Sequence, residues 1–471
     1  MLPLVEIPEL VQRYVPYFKP VFSADALIQF ERYVSGLIVS ENKTVDGINR
    51  LFVVDSRNQS SLNRLLTESP FTLESLNTAR LNLLASQPET QLKPKGVFSI
   101  DDTLLTHYGH EFEHIAKLWD HVSGSYVWAH DLVTIHYSDD ATDYPLLFQL
   151  WQPVDIEKLE QGLRQAEIPL KASKLALKAS DPPKWRGYLL GVWQRRQKQH
   201  PEIRELYASK LSIAQQLLQD WVTAHPDEQR PVTFDNWFTQ PDFCQFLDQT
   251  LHLPYVGTLA QSDQVQLKAE TLPVKDFAER LKQEHLAALR TNGQPVFEKI
   301  KIHFKGELEV YYSYCNTHRL HSFGRQRLVI NYRQADLSDN PTFFISNRLT
   351  WHAPGITRIR RHRWPVEVYH EEGKAEGLDQ YQLRDFSAIQ RHVALVAVVY
   401  SMLRTAQHDP VLQLRLQQQL EVQLETHPAG WRRTMQAQAL WSLGMVISAG
   451  LAQGQPLQTV MAPLIRAVCR S

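Results

Sequence analysis

The segment Val-Phe-Ser-Ile-Asp-Asp-Thr at residues 97–103 determines the predicted fold. Its apolar residues predict a short buried β-strand that ends in two acids, Asp101 and Asp102. Because successive side chains of a strand point to opposite faces of the sheet, only one of these acids can face a given site. The preceding residues 86–96 are polar and contain two prolines, which predicts a linker in front of the strand.

Helical patterns precede this linker, and mixed patterns follow it. Apolar residues recur at helical spacing within residues 24–86. Downstream, strand patterns occupy residues 116–122, 126–137, 231–238, 299–304, 309–314 and 327–332. Further helices are predicted at residues 208–224, 364–377, 388–406 and 410–468. The Ser-Gly-Ser at residues 123–125 predicts a hairpin turn between the first two downstream strands.

Composition excludes several classes of protein. A chain of 471 residues predicts two to four domains or one domain with large insertions. With 43% hydrophobic and 21% charged residues it is neither disordered nor fibrous. The formal charge of −1 means that a nucleic-acid surface would have to consist of local basic patches.

The cysteines and the apolar stretches indicate the cellular location to be expected for the protein. Cys244, Cys315 and Cys469 lie far apart, which argues against a disulfide scaffold or a cysteine-based zinc site and fits a reducing cytoplasm. Residues 1–14 lack a signal-peptide core. The nearly uncharged apolar stretch at residues 439–452 is shorter than a membrane span needs, so no membrane segment is expected.

Acids at three places in the chain suggest a metal site. Asp101 and Asp102 end the first strand, Asp235 lies near the end of a later strand, and Glu367 lies in the first turns of a helix. Carboxylates from separate elements are the hard oxygen ligands that a pair of Mg²⁺ ions needs. The alternative is that acids at strand ends are ordinary loop residues.

Two cations share the helical stripe of Glu367. Arg363, Glu367 and Lys374 are four and seven residues apart and fall within about 40° of one helix face. The acid could then bind metal while the two cations hold DNA phosphates. The alternative is an ordinary salt bridge between Arg363 and Glu367, which stabilises a helix by only about 0.2–0.5 kcal/mol.

Three segments together resemble the DDE transposases of bacterial insertion sequences. They are Ser-Ile-Asp-Asp-Thr at 99–103, Val-Thr-Phe-Asp-Asn-Trp at 232–237 and Arg-Trp-Pro-Val-Glu-Val-Tyr-His-Glu-Glu-Gly-Lys at 363–374. The third is similar to the Tyr-x(2)-Arg-x(3)-Glu-x(6)-Lys signature of one transposase group, with Arg360 in the tyrosine position. The resemblance extends from about residue 97 to residue 404.

The resemblance implies a metal-binding catalytic triad of Asp102, Asp235 and Glu367. Asp102 is preferred to Asp101 because the first aspartate of these transposases commonly precedes a threonine, here Thr103. The implied cofactor is a pair of Mg²⁺ ions, for which Mn²⁺ could substitute. The implied fold class is α/β, with an RNase H-like catalytic core, a β-rich insertion and helical regions at both ends.

The expected domains follow from this fold. They are a helical DNA-binding domain at 1–92, the first part of the RNase H-like domain at 93–257, a β-rich insertion at 258–345, the second part of the catalytic domain at 346–405, and a helical region at 406–471. Residues 1–92 are expected to recognise the end of the element. The alternative is that these helices only cover the catalytic sheet.

Three basic segments without acids, at 184–198, 316–334 and 358–363, predict DNA contacts. Together with Arg363 and Lys374, the predicted contact residues are Lys184, Arg186, Arg195, Arg196, Lys198, Arg319, Arg325, Arg327, Arg358, Arg360 and Arg361. The alternative for each segment is a solvated surface.

The resulting functional prediction is a cut-and-paste transposase. Its partners would be double-stranded DNA, as terminal inverted repeats and target, and a second copy of the chain on that DNA, with no membrane. It would be cytoplasmic, at the bacterial nucleoid. One alternative is a transposase-derived DNA-binding protein that no longer cuts. Another is a zinc hydrolase centred on the His-Glu-Phe-Glu-His of His110 and His114.

Overall fold

The computed structural model describes residues 2–54, 57–268 and 270–469, so the ends of the first and last predicted domains, residues 1 and 471, lie outside the described residues. In these ranges twelve strands form one mixed sheet. The strands are β1 (Val97–His107), β2 (Ala116–Asp120), β3 (Ser125–Ser138), β4 (Asp143–Trp151), β5 (Val232–Phe234), β6 (Tyr255–Thr258), β7 (Gln264–Gln266), β8 (Thr271–Pro273), β9 (Glu298–Phe304), β10 (Glu307–Leu320), β11 (Gly324–Tyr332) and β12 (Thr342–Ser346).

Helices lie at both ends of the chain and between the strands. They are α1 (Glu9–Tyr14), α2 (Ala24–Val39), α3 (Val45–Leu51), α4 (Gln59–Thr67), α5 (Leu73–Ala85), α6 (Ile156–Gln165), α7 (Ala172–Leu175), α8 (Leu177–Ser180), α9 (Pro182–Arg196), α10 (Lys210–Ala224), α11 (Pro241–Gln245), α12 (Val274–Arg290), α13 (Ala353–Arg361), α14 (Trp364–Ala375), α15 (Phe386–Ala406), α16 (Pro410–Leu420), α17 (Pro428–Ala452) and α18 (Leu457–Cys469). Single turns of 3₁₀ or π helix occupy Val15–Phe18, Pro201–Leu206 and Phe246–Thr250.

Five strands form an RNase H-like core in the order β4-β3-β1-β5-β6. β1 pairs antiparallel with β3, opposing Asp101 to Thr134, and β3 pairs antiparallel with β4. β5 runs parallel to β1, and β6 runs parallel to β5. The predicted hairpin between β2 and β3 is present, and its turn contains Gly124 at a φ of 61°. The predicted fold class is therefore confirmed.

The β-rich insertion extends this sheet. Strand β12 pairs antiparallel with β6, so β7 to β12 continue from the edge of the core. A second insertion, absent from the sequence-based prediction, lies between β4 and α10. Its helices α6 to α9 bury a small apolar core that includes Leu159, Trp185 and Trp193.

The N-terminal helices share their hydrophobic core with the C-terminal half of the chain. Leu37 of α2 and Leu83 of α5 belong to the same buried cluster as Val399 of α15 and Trp431 of α17. The buried Arg80 of α5 donates hydrogen bonds to the Leu146 carbonyl at 2.9 Å and to the Ser401 hydroxyl at 3.0 Å. This packing favours helices that cover the sheet over a separable module, and the domain boundaries themselves stay predictions.

Helix α15 lies at the centre of this core. By length and apolar composition it could cross a membrane, but 83% of its most apolar window is buried inside the protein. Its burial against the N-terminal helices explains its composition, since a helix that is apolar on all sides is typical of the centre of a large core.

We expect Leu37→Ala to destabilise the whole fold by about 3 kcal/mol, because it leaves a cavity in this shared core. The eleven tryptophans all lie at or after residue 119, so their fluorescence reports on the rest of the chain. Urea unfolding should shift by the same amount when followed by tryptophan fluorescence and by far-UV circular dichroism. An unchanged fluorescence transition would show that residues 1–92 unfold independently.

Candidate active site

The two adjacent acids of β1 lie on opposite faces of the sheet. Phe98 and Ile100 pack in one cluster with Leu218 of α10, and the pleat places Asp102 on that same face. Asp101 lies on the other face, where α14 packs. Both carboxylates are only partly exposed.

Asp101 and Glu367 are joined by one guanidinium group. Arg363, at the start of α14, donates from Nη1 to Asp101 Oδ2 at 2.8 Å and from Nη2 to Glu367 Oε1. The side chains of Arg363 and Asp101 are 13% and 15% exposed, so this bridge is largely shielded from water. The ordinary salt bridge considered from the sequence is therefore present, and it extends to β1.

Asp235 follows β5, the parallel neighbour of β1. Its Oδ1 accepts hydrogen bonds from the backbone N–H groups of Trp237 and Phe238 at 3.0 and 3.1 Å, which fixes the turn after the strand. Burial raises the pKa of Asp101 to about 7 against the opposing effect of Arg363, and the charges of Asp235 and Asp102 add to the rise. Asp235 thus lies within electrostatic reach of Asp101.

Arg360 occupies the tyrosine position of the signature and lies against the same acids. Its Nε donates to Thr258 Oγ1 at 2.8 Å, and its guanidinium lies 5.6 Å from the centre of the Phe344 ring. Burial and the adjacent Arg363 lower its pKa to about 9, while Asp235 and Asp101 oppose that change. Arg363 thus contacts Asp101 and Glu367, while Arg360 lies within electrostatic reach of Asp101 and Asp235.

Asp102 belongs to a different cluster, which the sequence did not indicate. Its Oδ2 lies 2.8 Å from Lys210 Nζ, and Lys210 also lies 3.0 Å from the buried Asp131. Burial raises the pKa of Asp131, and the neighbouring charge of Asp102 adds to the rise. The Lys210 ammonium lies 4.5 Å from the centre of the Trp237 ring.

The preference for Asp102 stays a prediction, and the geometry favours Asp101 instead. The structure brings Asp101, rather than Asp102, to the arginine that binds Glu367, because the pleat turns Asp102 toward α10. Lys210 and Asp131 escaped the sequence analysis because no motif contains them. The alternation of side chains along β3 places Asp131 on one face of the sheet, but it does not identify Lys210 as the partner of Asp131.

The donor set fits divalent metal, although the described residues contain no group of three His, Cys, Asp or Glu side chains arranged to hold an ion. Asp101, Asp235 and Glu367 supply the carboxylate oxygens that Mg²⁺ and Mn²⁺ prefer. The position between Asp101 and Glu367 already holds a cationic group, the Arg363 guanidinium. Metal binding there requires Arg363 to leave this bridge.

Lys374 lies at the opposite end of α14. Hydrogen bonds from Ser123 and Val122 are the main cause of the lowered pKa of Asp120, and the charge of Lys374 lowers it further. Burial raises the pKa of Asp379, and the charge of Lys374 opposes that rise. The side chain of Lys374 is partly exposed, and its ammonium group forms no ion pair with a carboxylate among the described residues. Lys374 therefore remains available to an external anion.

The predicted basic segment at 358–363 is mostly engaged within the protein. Arg358 pairs with Asp140 at 2.7 Å, and Arg361 pairs with Glu309 at 2.7 Å. These ion pairs attach α13 to the β3–β4 turn and to the insertion. The predicted DNA contacts of Arg358 and Arg361 stay predictions. In each case DNA would have to displace the carboxylate with which the arginine pairs inside the protein.

The other two segments are more accessible. Arg319 and Arg325 are exposed and lie directly opposite each other on β10 and β11, an arrangement of like charges that an anion would relieve. Arg327 instead donates to the Trp351 carbonyl at 2.9 Å.

Helix α9 displays the remaining predicted contacts, but Trp185 and Trp193 of the same segment are buried in its small core. Lys184 and Lys198 form exposed ion pairs with Asp181 and Asp242, at 2.7 and 3.1 Å. Exposed pairs of this kind contribute about 0–1 kcal/mol and are easily exchanged for phosphate. Arg186, Arg195 and Arg196 lie on the same helix.

The His-Glu-Phe-Glu-His segment does not form the helix that a zinc protease needs. Residues 108–115 form a loop in which His110 packs on Trp128 at 5.6 Å and His114 packs on Phe386 at 4.7 Å. A zinc-binding pair must lie on one helix face, so this geometry argues against the zinc hydrolase.

Comparison with known proteins gives one family match. The family described as DDE superfamily endonuclease matches residues 17–288. Comparison with curated proteins finds no relative. Among solved structures, a piggyBac transposase synaptic complex with hairpin DNA, determined by cryo-EM, aligns with 11% identity and a TM-score of 0.37 over 91% of this chain and 76% of that chain. A similarity this low supports no statement about activity.

The raised pKa of Asp101 predicts a pH dependence of stability. Its folded value of about 7 lies above the value of about 3.9 for an unfolded chain, so the folded state binds the extra proton between these values. The Asp101 contribution to the free energy of unfolding should therefore fall as pH rises from 4 to 7, by about 3 kcal/mol. Urea unfolding across this range should show a shallower decline for Asp101→Asn. If the free energy of unfolding declines equally with pH in the wild type and in Asp101→Asn, the raised pKa of Asp101 is contradicted.

Proposed function

Because this chain belongs to the DDE superfamily endonuclease family, we propose that it is a transposase that cuts DNA at the ends of an element and joins the freed 3′-hydroxyl to target DNA. The observation that supports this best is the Arg363 bridge between Asp101 of β1 and Glu367 of α14, with Asp235, in the turn after β5, within electrostatic reach of Asp101. The family match ends at residue 288, so Glu367 rests on its motif spacing and on its link to Asp101.

Asp101, Asp235 and Glu367 would hold the metal. Two divalent ions bound there would activate a water or a 3′-hydroxyl and stabilise the leaving oxygen of a phosphodiester. Because these carboxylates are partly buried, bulk water has limited access to the β1 side of the site. On the other face of β1, Lys210 holds Asp102 and lies over Trp237, which restrains the turn that contains Asp235.

Arg363 would exchange partners when DNA binds. In the free protein it neutralises Asp101 and Glu367, which would otherwise repel each other. A phosphate accepts two parallel hydrogen bonds from a guanidinium group as well as a carboxylate does. DNA can therefore draw Arg363 from the acids and leave them to metal, with Arg360 and Lys374 as additional phosphate contacts.

The finer parts of the proposal rest on the sequence resemblance. They are the cut-and-paste pathway, a bacterial insertion sequence as the source, terminal inverted repeats and target DNA as partners, two Mg²⁺ ions, a homodimer on DNA and a location at the nucleoid. The second candidate, a DNA-binding protein that no longer cuts, is favoured by one observation. Arg363 occupies the place between two acids that a metal would need.

The first test replaces the acids with isosteric amides. Asp101→Asn, Asp235→Asn and Glu367→Gln should each lower metal-dependent cleavage of a DNA substrate at least about 1,000-fold, because each removes a charged ligand. DNA binding, measured by fluorescence anisotropy, should change little. Full cleavage by all three variants would exclude the proposed mechanism, and absence of cleavage by the wild type would favour the second candidate.

Asp102→Asn is the matched control, since it changes the adjacent residue on the opposite face of the same strand. It should retain far more cleavage activity than Asp101→Asn. If Asp102→Asn is inactive and Asp101→Asn is active, the order preferred from the sequence is correct and the geometric assignment is wrong.

The second test concerns Arg363 and Lys374. Replacing either by Ala should weaken DNA binding equally across sequences and reduce the salt slope by about one unit. For Arg363→Ala alone, Mn²⁺ should bind more tightly without DNA, because the competing guanidinium is gone. Titration calorimetry measures the Mn²⁺ affinity. Lys374→Ala is the control, because Arg363 still bridges Asp101 and Glu367 in that variant. Unchanged Mn²⁺ affinity in Arg363→Ala would contradict the exchange of partners.

A further inference from the structure

The hairpin of β2 and β3 presents a row of aromatic side chains on one face. Trp119 lies directly opposite Tyr126, and Lys117 lies directly opposite Trp128. Residues that oppose each other in an antiparallel pair point to the same face of a sheet, and so do residues two apart along one strand. These four side chains therefore share one surface, which we call the hairpin face.

The rings of the hairpin face stay exposed in the folded protein. Trp119 and Tyr126 meet edge to face with their ring centroids 5.1 Å apart, yet the two residues are 46% and 63% exposed. Trp128 is partly buried and contacts the ring of the exposed His110, with the centroids 5.6 Å apart. Neighbouring aromatic residues that remain this accessible mark an interaction site rather than part of a core.

The hairpin face is cationic as well as aromatic. Lys117 is exposed and forms no ion pair among the described residues. The nearby acids have other partners, since Glu111 pairs with Arg384 at 2.6 Å and Asp120 accepts hydrogen bonds from the backbone of its own turn. Aromatic rings beside an unpaired ammonium group favour a planar, anionic ligand over a lipid tail or an apolar protein surface.

The hairpin face lies on the same side of the sheet as the candidate metal ligands. Asp101 opposes Thr134, and Tyr126 precedes Thr134 by eight residues on β3. An even spacing keeps the face, and eight residues span about 26 Å at ~3.3 Å each. Lys374 of α14 is close to the hairpin, because its charge adds to the lowering of the Asp120 pKa that hydrogen bonds within the turn mainly cause.

We propose that the hairpin face binds unpaired DNA bases, which stack on Trp119 and Tyr126 while Lys117 contacts a phosphate of the same strand. Bases inside a duplex are covered on both sides by their neighbours, so only a single strand offers them to such a surface. Stacking on an aromatic ring contributes about 1–3 kcal/mol per base and depends little on sequence.

This step rests on the proposed function, which supplies the single strand. DNA that opens next to the acids leaves a strand free to follow the sheet toward the hairpin. The distance of about 26 Å corresponds to about eight stacked nucleotides at 3.4 Å each. The hairpin face would therefore hold a strand several nucleotides away from the bond that is cut.

The test measures binding without metal, so that it does not depend on cleavage. The probe is a labelled oligothymidine of about twelve nucleotides, followed by fluorescence anisotropy. An abasic strand of the same length has the same phosphates but no bases, and the full wild-type chain should bind it at least about 10-fold more weakly. Equal binding of the two strands would overturn the proposal.

Variants then locate the stacking surface. Trp119→Ala/Tyr126→Ala should bind oligothymidine at least about 10-fold more weakly and the abasic strand as the wild type does, with an unchanged far-UV spectrum because both residues are exposed. Trp119→Phe/Tyr126→Phe keeps both rings and should retain most of the affinity. Trp441→Ala, at a residue 41% exposed on α17, is the matched control and should bind as the wild type does.

The cation gives an independent measurement. Lys117→Gln should reduce the salt slope of oligothymidine binding by about 0.7, the value for one phosphate contact on a single strand. Unchanged oligothymidine binding by the Trp119→Ala/Tyr126→Ala variant would overturn the proposal. If that variant instead loses self-association in sedimentation velocity, the face belongs to a protein contact.

Failure of this step and failure of the proposed function are distinguishable. If the hairpin face binds bases but Asp101, Asp235 and Glu367 prove dispensable for cleavage, the proposed function fails and the base-binding surface stands. If the three acids are required but bases add nothing to the affinity, the hairpin face fails and the proposed function stands.

Discussion

The pleat of β1 places two consecutive carboxylates on opposite faces of one sheet, and a cation from a different helix neutralises each of them. Arg363 at the start of α14 binds Asp101, and Lys210 at the start of α10 binds Asp102. A partly buried carboxylate without a partner would cost several kcal/mol, so these contacts fix both helices against the central strand. The same Arg363 guanidinium also holds Glu367 at this site.

The insertion helps to position the site as well as to enlarge the sheet. Because β12 pairs with β6, the chain returns to the edge of the core and then enters α13. The pairing of Arg358 with Asp140 and of Arg361 with Glu309 then holds α13 between core and insertion. The arginines that precede Glu367 in sequence therefore have a structural role, which a count of basic residues does not reveal.

The far end of α14 is held as firmly as its start. The fully buried Glu376, just after α14, lies 2.5 Å from Arg432 of α17, and Lys43 near α3 opposes the rise in its pKa that burial causes. This ion pair links the helix that contains Glu367 to both helical ends of the chain.

The sequence by itself determined several of the elements that surround the candidate site. The apolar run at residues 97–103, the Ser-Gly-Ser turn and the helical spacing around Glu367 are local signals that predicted a strand, a hairpin and a helix, although β1 continues past Asp101 and Asp102 to His107. The motif spacing selected Asp235, Glu367 and Arg363 before any contact was known. The choice between Asp101 and Asp102 was different, because pleat alternation separates the two acids but does not say which face α14 will cover.

Only the tertiary structure decided which acid meets Glu367, because that depends on where α14 and α10 pack on the sheet. It also decided that Arg363 bridges two acids, that Lys210 and Asp131 form a second cluster, and that the N-terminal helices share a core with α15. Each of these contacts joins residues that are distant in sequence. Local periodicity contains no information about such pairs, since it reports the face a side chain occupies and not the element that covers it.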